Sequence, residues 1–123
     1  MEKLNLALDQ DKTVFAPRDI VRGTIQWTLD TGPRRLELSL VWYTAGKGTR
    51  DVGVVETRRF DDAGAVGWKD FSFTLPNGPY SFSGKLISLI WALELTCASD
   101  SESVRREITV SPTGHEIVLG APQ

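Results

Sequence analysis

Leu86-Ile87-Ser88-Leu89-Ile90-Trp91-Ala92-Leu93-Glu94-Leu95-Thr96 is the stretch on which the fold turns. Leucine, alanine and glutamate favour helix, and Leu86, Ile90 and Leu93 stand at helical spacing. Alternation fits as well, and it places Leu89, Trp91, Leu93 and Leu95 on one face. Gly84 precedes the segment without an N-cap box, and no glycine caps its end. The segment therefore reads as a strand.

Its neighbours alternate with period two as well. Leu4, Leu6 and Leu8 share a face, followed by a turn-rich connection over residues 9–19 that contains Pro17. Val21, Gly23, Ile25, Trp27 and Leu29 oppose Arg22, Thr24, Gln26 and Thr28, the pattern of a half-buried strand. After the turn Asp30-Thr31-Gly32-Pro33, a strand over 34–44 turns Leu36, Leu38, Leu40 and Trp42 inward. Gly46-Lys47-Gly48 breaks it. A further strand is expected over 52–57. Asp61-Asp62-Ala63-Gly64 reads as a loop, and so does Gly67. Phe71, Phe73 and Leu75 form a strand that Pro76-Asn77-Gly78-Pro79 stops. Two short strands are expected at 105–110 and 116–119.

Seven or eight strands at spacings of roughly 10 to 15 residues predict an all-β antiparallel sandwich. No segment reads as a long amphipathic helix, which argues against parallel α/β folds. The 123 residues predict one domain over 1–123, large enough for a single core.

Two glycine and arginine positions carry open readings. Gly23 marks either a bulge or close backbone approach, or simply room for Trp27 or Trp91. Arg106 shares the face of Val104, Ile108 and Val110. It therefore signals a bulge, a rim position with its charge in water, or a buried ion pair.

The order of these pieces resembles the arrestin family. Phe15-Ala16-Pro17-Arg18-Asp19-Ile20-Val21-Arg22-Gly23-Thr24-Ile25 is similar to its aromatic-x-Pro-Gly-acidic-x-Val-x-Gly-x-Val pattern, with Arg18 where the family has glycine. Phe71-Ser72-Phe73-Thr74-Leu75-Pro76, then Pro79-Tyr80-Ser81-Phe82-Ser83-Gly84, resembles its second signature. Ile90-Trp91-Ala92-Leu93 stands where the family has an apolar strand. The resemblance spans about residues 4–110. It implies an immunoglobulin-like antiparallel β-sandwich of arrestin type with a binding or scaffolding role, one sandwich where arrestins pair two. Only Lys3 stands near the first strand, so the family's phosphate sensing is not implied.

Chemistry is sparse. The net charge of −2 gives no field for nucleic acid. The single histidine, His115, lacks a triad around it, and no nucleophile elbow surrounds a serine. Cys97, the only cysteine, reads as a small buried or edge residue; one histidine and one cysteine exclude the common zinc sets. Asp61-Asp62 and the pair Asp100 and Glu102 do not match a calcium loop. Ala45-Gly46-Lys47-Gly48-Thr49 lacks the first glycine of a phosphate loop and the helix after it. No catalytic, cofactor-binding or metal-binding residue is therefore predicted, and no cofactor.

Surface binding is the expectation that remains. Val41, Tyr43, Ile90 and Ala92 lie opposite the core face and form a candidate interaction patch, unless another segment covers them. Lys47 and Arg50 form a candidate basic loop for an acidic or phosphorylated partner, with scattered solubilising charge as the commoner reading. The expected function is a non-enzymatic protein–protein interaction or scaffold domain, with sheet edges open to a partner strand or a second copy. The alternative is a regulatory adaptor in trafficking or stress that meets membrane-associated proteins; a small hydrolase or ligand-binding protein ranks last. A lone thiol, no secretory apolar run and no stretch of the about 20 residues that span a bilayer predict a cytoplasmic chain without a transmembrane segment.

Overall fold

The ambiguous stretch is a strand. A computed structural model describes residues 3–29, 35–46, 51–61, 64–84, 87–97, 103–113 and 117–118. Among these the strands are β1 (Lys3–Leu8), β2 (Val14–Phe15), β3 (Ile20–Thr28), β4 (Leu36–Gly46), β5 (Val52–Phe60), β6 (Val66–Thr74), β7 (Phe82–Ser83), β8 (Ile87–Cys97), β9 (Ser103–Val110) and β10 (Ile117–Val118). A single 3-10 turn, Asp9–Asp11, is the only helical element described.

Two sheets stack as an all-β sandwich. One runs β1-β3-β6; the other runs β10-β7-β8-β4-β5, with β9 also on β8 and β2 on β9. The long pairs are antiparallel, and the two parallel pairs, β2 with β9 and β7 with β10, are two-residue bridges. Residues 82–83 and 14–15 are too short for alternation to reveal, which is why the sequence shows fewer strands.

Why β8 looked ambiguous is now clear. It is hydrogen-bonded to β4 along its whole length and to β9 over its second half, so it is a central strand. Leu89, Trp91, Leu93 and Leu95 enter the main core, while Ala92 is buried on the opposite face. A strand covered on both faces loses its polar side, and the period-two signal blurs. Across the core stand Leu6, Leu8, Val21, Ile25, Phe71 and Phe73 from the smaller sheet. Each such burial contributes about 1.5–3 kcal/mol. Trp91 is fully buried, and its indole N–H donates to the Pro79 carbonyl at 2.8 Å. Ser81 joins the ends of β9 and β7: its N–H donates to the Val110 carbonyl at 2.8 Å, and its Oγ accepts the Val110 N–H at 2.9 Å.

Gly67 does not lie in a loop. It belongs to β6, opposite Trp27, and a Cβ there would stand 2.5 Å from the Trp27 ring. The glycine breaks nothing; it seats an indole. Gly23 serves close approach, since its Cβ would strike the Ala7 carbonyl oxygen and come within 2.7 Å of the Phe71 ring. The register to β6 runs through Gly23 unbroken and the pairing with β1 ends on it without a shift, so there is no bulge there, and the ring it accommodates is Phe71 rather than either tryptophan.

The sandwich closes differently at its two sides. On one side β1 and β9 approach each other. Arg106 caps this rim, a third exposed, with a guanidinium nitrogen 3.9 Å from Asp11. The rim position is the reading of Arg106 that holds. On the other side Arg58 of β5 lies 4.8 Å from the Phe73 ring centroid and pairs with Glu56 at 2.8 Å.

Candidate interaction surface

The outer face of the larger sheet is built by register. Val41 pairs with Ala92 and Tyr43 with Ile90, so the four residues of the predicted patch do meet. They form an apolar cluster with Ala45, separate from the main core. Val41, Tyr43 and Ala92 are nevertheless buried, and Ile90 is only partly exposed. As a solvent-facing patch the quartet is corrected: most of it is covered.

The cover comes from β9. Glu94 opposes Arg105 and Ala92 opposes Glu107. The Arg105 guanidinium stacks 4.8 Å from the Tyr43 ring centroid, donates to the Tyr43 hydroxyl at 2.8 Å and pairs with Glu94 at 3.1 Å. The same hydroxyl donates to Glu107 at 3.4 Å. Tyr43 lies on the Ile90 row and Arg105 on the Glu94 row, with Val41, Ala92 and Glu107 between. Contact between them therefore closes over the alanine. A cation over an aromatic face, tied also by hydrogen bonds, makes a lid of amphipathic side chains.

What stays open on this face is its edge. β5 pairs only with β4 among the described residues. Leu40 pairs with Glu56 and Val41 with Val54, so Val55 is an extra residue in a bulge. Val52 is 58% exposed, Val54 61% and Val55 39%. They continue the covered apolar cluster out to solvent. Reasoning from sequence missed them, although three valines within four residues of an expected strand were the signal. The bulge that keeps them outward depends on pairing with β4 and is invisible in the sequence.

The candidate basic loop, Lys47 and Arg50, lies outside the described residues, as does His115. Arg58 and Arg59, at the far end of the β4–β5 hairpin, are engaged: Arg58 with Glu56, and Arg59 with Glu37 at 3.7 Å. Cys97 is buried at the end of β8. No described helix is long and apolar enough to cross a membrane.

The class of the molecule is thus an all-β sandwich. No protein-family model and no curated protein matches the sequence. Among solved structures the chain is similar to Spo0M, a sporulation control protein from Bacillus subtilis, at 20% identity and a TM-score of 0.63, over 89% of this chain and 49% of that one. It is also similar to part of a β-glucosidase from Listeria innocua, at 13% identity and a TM-score of 0.51, over 95% of this chain and 16% of the enzyme. The chain spans about half the length of Spo0M. At these identities the likeness is one of fold.

Proposed function

We propose that this chain is a non-enzymatic, arrestin-type interaction module that takes an extended segment of a partner protein along β5. The observation that carries the reading is the trio Val52, Val54 and Val55, exposed on a strand edge with no pairing partner among the described residues. An open edge supplies backbone hydrogen bonds to an added strand, and apolar side chains at alternate positions supply affinity.

Three features support the arrestin type. The two sequence patterns stand in order, the fold is shared with Spo0M, and Arg18 adopts the conformation that the family's glycine suits. Asp19 N–H donates to the Ala16 carbonyl at 3.1 Å across Pro17-Arg18, and Arg18 has φ 71°. A regulatory or scaffolding role follows from the same analogy.

Capture of partners from the source cell by wild-type protein and by Val54→Lys, with the exposed Ile20→Lys as a control on the other sheet, tests the reading. Recovery should fall with the first variant and persist with the second, both retaining wild-type melting. Equal recovery with all three proteins rejects β5 as the docking edge. Light scattering distinguishes a foreign partner from a second copy.

A further inference from the structure

The smaller sheet carries its own site, independent of β5. Registers place Asn5, Gln26 and Trp68 in one row across β1, β3 and β6, and Lys3, Thr28 and Val66 in the next. These six residues, with Trp27 and Gly67 at the floor, line a surface cleft of about 370 Å³. That volume falls within the range of small-ligand sites, about 300–1,000 Å³. Trp68 is 63% exposed. A tryptophan so exposed on a regular strand presents much of its π-surface to water, and its ring and N–H have no aromatic, cation or hydrogen-bond partner among the described residues.

The polar groups beside it are of one kind. Asn5 Nδ2 donates to Gln26 Oε1 at 3.3 Å. That bond fixes the two amides relative to each other and leaves one carbonyl and one N–H₂ to offer outward. Thr28 adds a hydroxyl and Lys3 an ammonium, and among the described residues no carboxylate lines the cleft. The set rejects most ligand classes. A cationic ligand would meet Lys3 and find no counter-charge. A polyphosphate would find one cation only. A purely apolar ligand would strip water from two amides and return no hydrogen bonds. A ligand with hydroxyls at its edge and C–H groups on its face satisfies everything: the C–H face meets the electron-rich indole, and the hydroxyls both donate to and accept from the amides.

We infer that this cleft binds a saccharide, with one pyranose ring stacked on Trp68 and its hydroxyls held by Asn5 and Gln26. Lys3 at the rim favours a sugar bearing a carboxylate. The strands beneath hold these groups in fixed register, so the site is formed before the ligand arrives.

Calorimetric and two-dimensional NMR titration with cellohexaose, chitohexaose and an oligogalacturonate test this on the full chain. At least one should bind saturably at millimolar concentration and move the Trp68 indole resonance, with the oligogalacturonate tightest. Trp68→Ala should weaken that binding about tenfold or more, and Gln26→Ala should weaken it by a smaller factor. Both residues are exposed, and unchanged melting of both variants verifies their folds. Val54→Lys should bind the sugar like wild type, so failure at β5 and failure here are separable. Absence of binding to all three probes, or binding undiminished in Trp68→Ala, overturns the inference.

Discussion

Arg105 sits on Tyr43: its guanidinium is 4.8 Å from the ring centroid, and it donates to the phenol hydroxyl at 2.8 Å. The two residues come from strands that do not pair with each other, since β8 runs between β4 and β9. Their contact bridges β8 on its outer face and converts what would be an apolar surface into a second, small core. The exposed apolar surface of this sheet is thereby displaced: it begins at β5, not at Tyr43.

This relationship predicts different outcomes for its two members. Tyr43→Asp places a carboxylate in a site that is 6% exposed. It should cost at least about 2 kcal/mol. Arg105→Ala removes a side chain 42% exposed and should cost only about 0.5–1 kcal/mol. Urea midpoints at constant slope measure both. A Tyr43→Asp variant as stable as wild type would show that the lid does not seal this face.

A second prediction concerns the turn before β3. Arg18 has φ 71°, the left-handed region that disfavours side chains, at the third position of a hydrogen-bonded turn whose second residue is Pro17. Asp19 steadies the same turn by accepting the Ala16 N–H at 2.9 Å. Arg18→Gly should relieve the conformational cost, offset in part by glycine's freedom in the unfolded chain, for a net gain of about 0.5–1 kcal/mol. A lower thermal midpoint in the glycine variant would contradict the turn geometry.

Gly23 yields a third. A methyl group there would strike the Ala7 carbonyl and the Phe71 ring at once. Backbone on one side and a buried ring on the other leave little room to yield. Gly23→Ala should destabilise by about 1–3 kcal/mol. Hydrogen exchange should quicken in β1 before β8, because among the described residues β1 is hydrogen-bonded only to β3, whereas β8 is held on both sides. Uniform protection across both strands would argue that the sheet absorbs the methyl without parting.

Alternation alone carried most of the fold. Leu36, Leu38 and Leu40, or Val21, Ile25 and Trp27, have one buried face each, and a period of two states that directly. Gly67 misled, because a glycine in isolation reads as a breaker, and its true reason is an indole from another strand. The valines of β5 and the row Asn5, Gln26, Trp68 were in view as residues but not as sites. Asn5 and Trp68 are 63 positions apart in the chain, and only β3 between them sets them in line.

What the chain settles locally is which side of each strand seeks water, because a side chain's polarity and its parity along a strand are both written in order. What stacking settles is which outward side chain stays outward. Tyr43 and Trp68 are both aromatics on rows that face away from the main core. Tyr43 is roofed by an arginine two strands away, and Trp68, on an edge strand, has no such neighbour among the described residues. That difference is one of strand order, and strand order is a property of the assembled sheets.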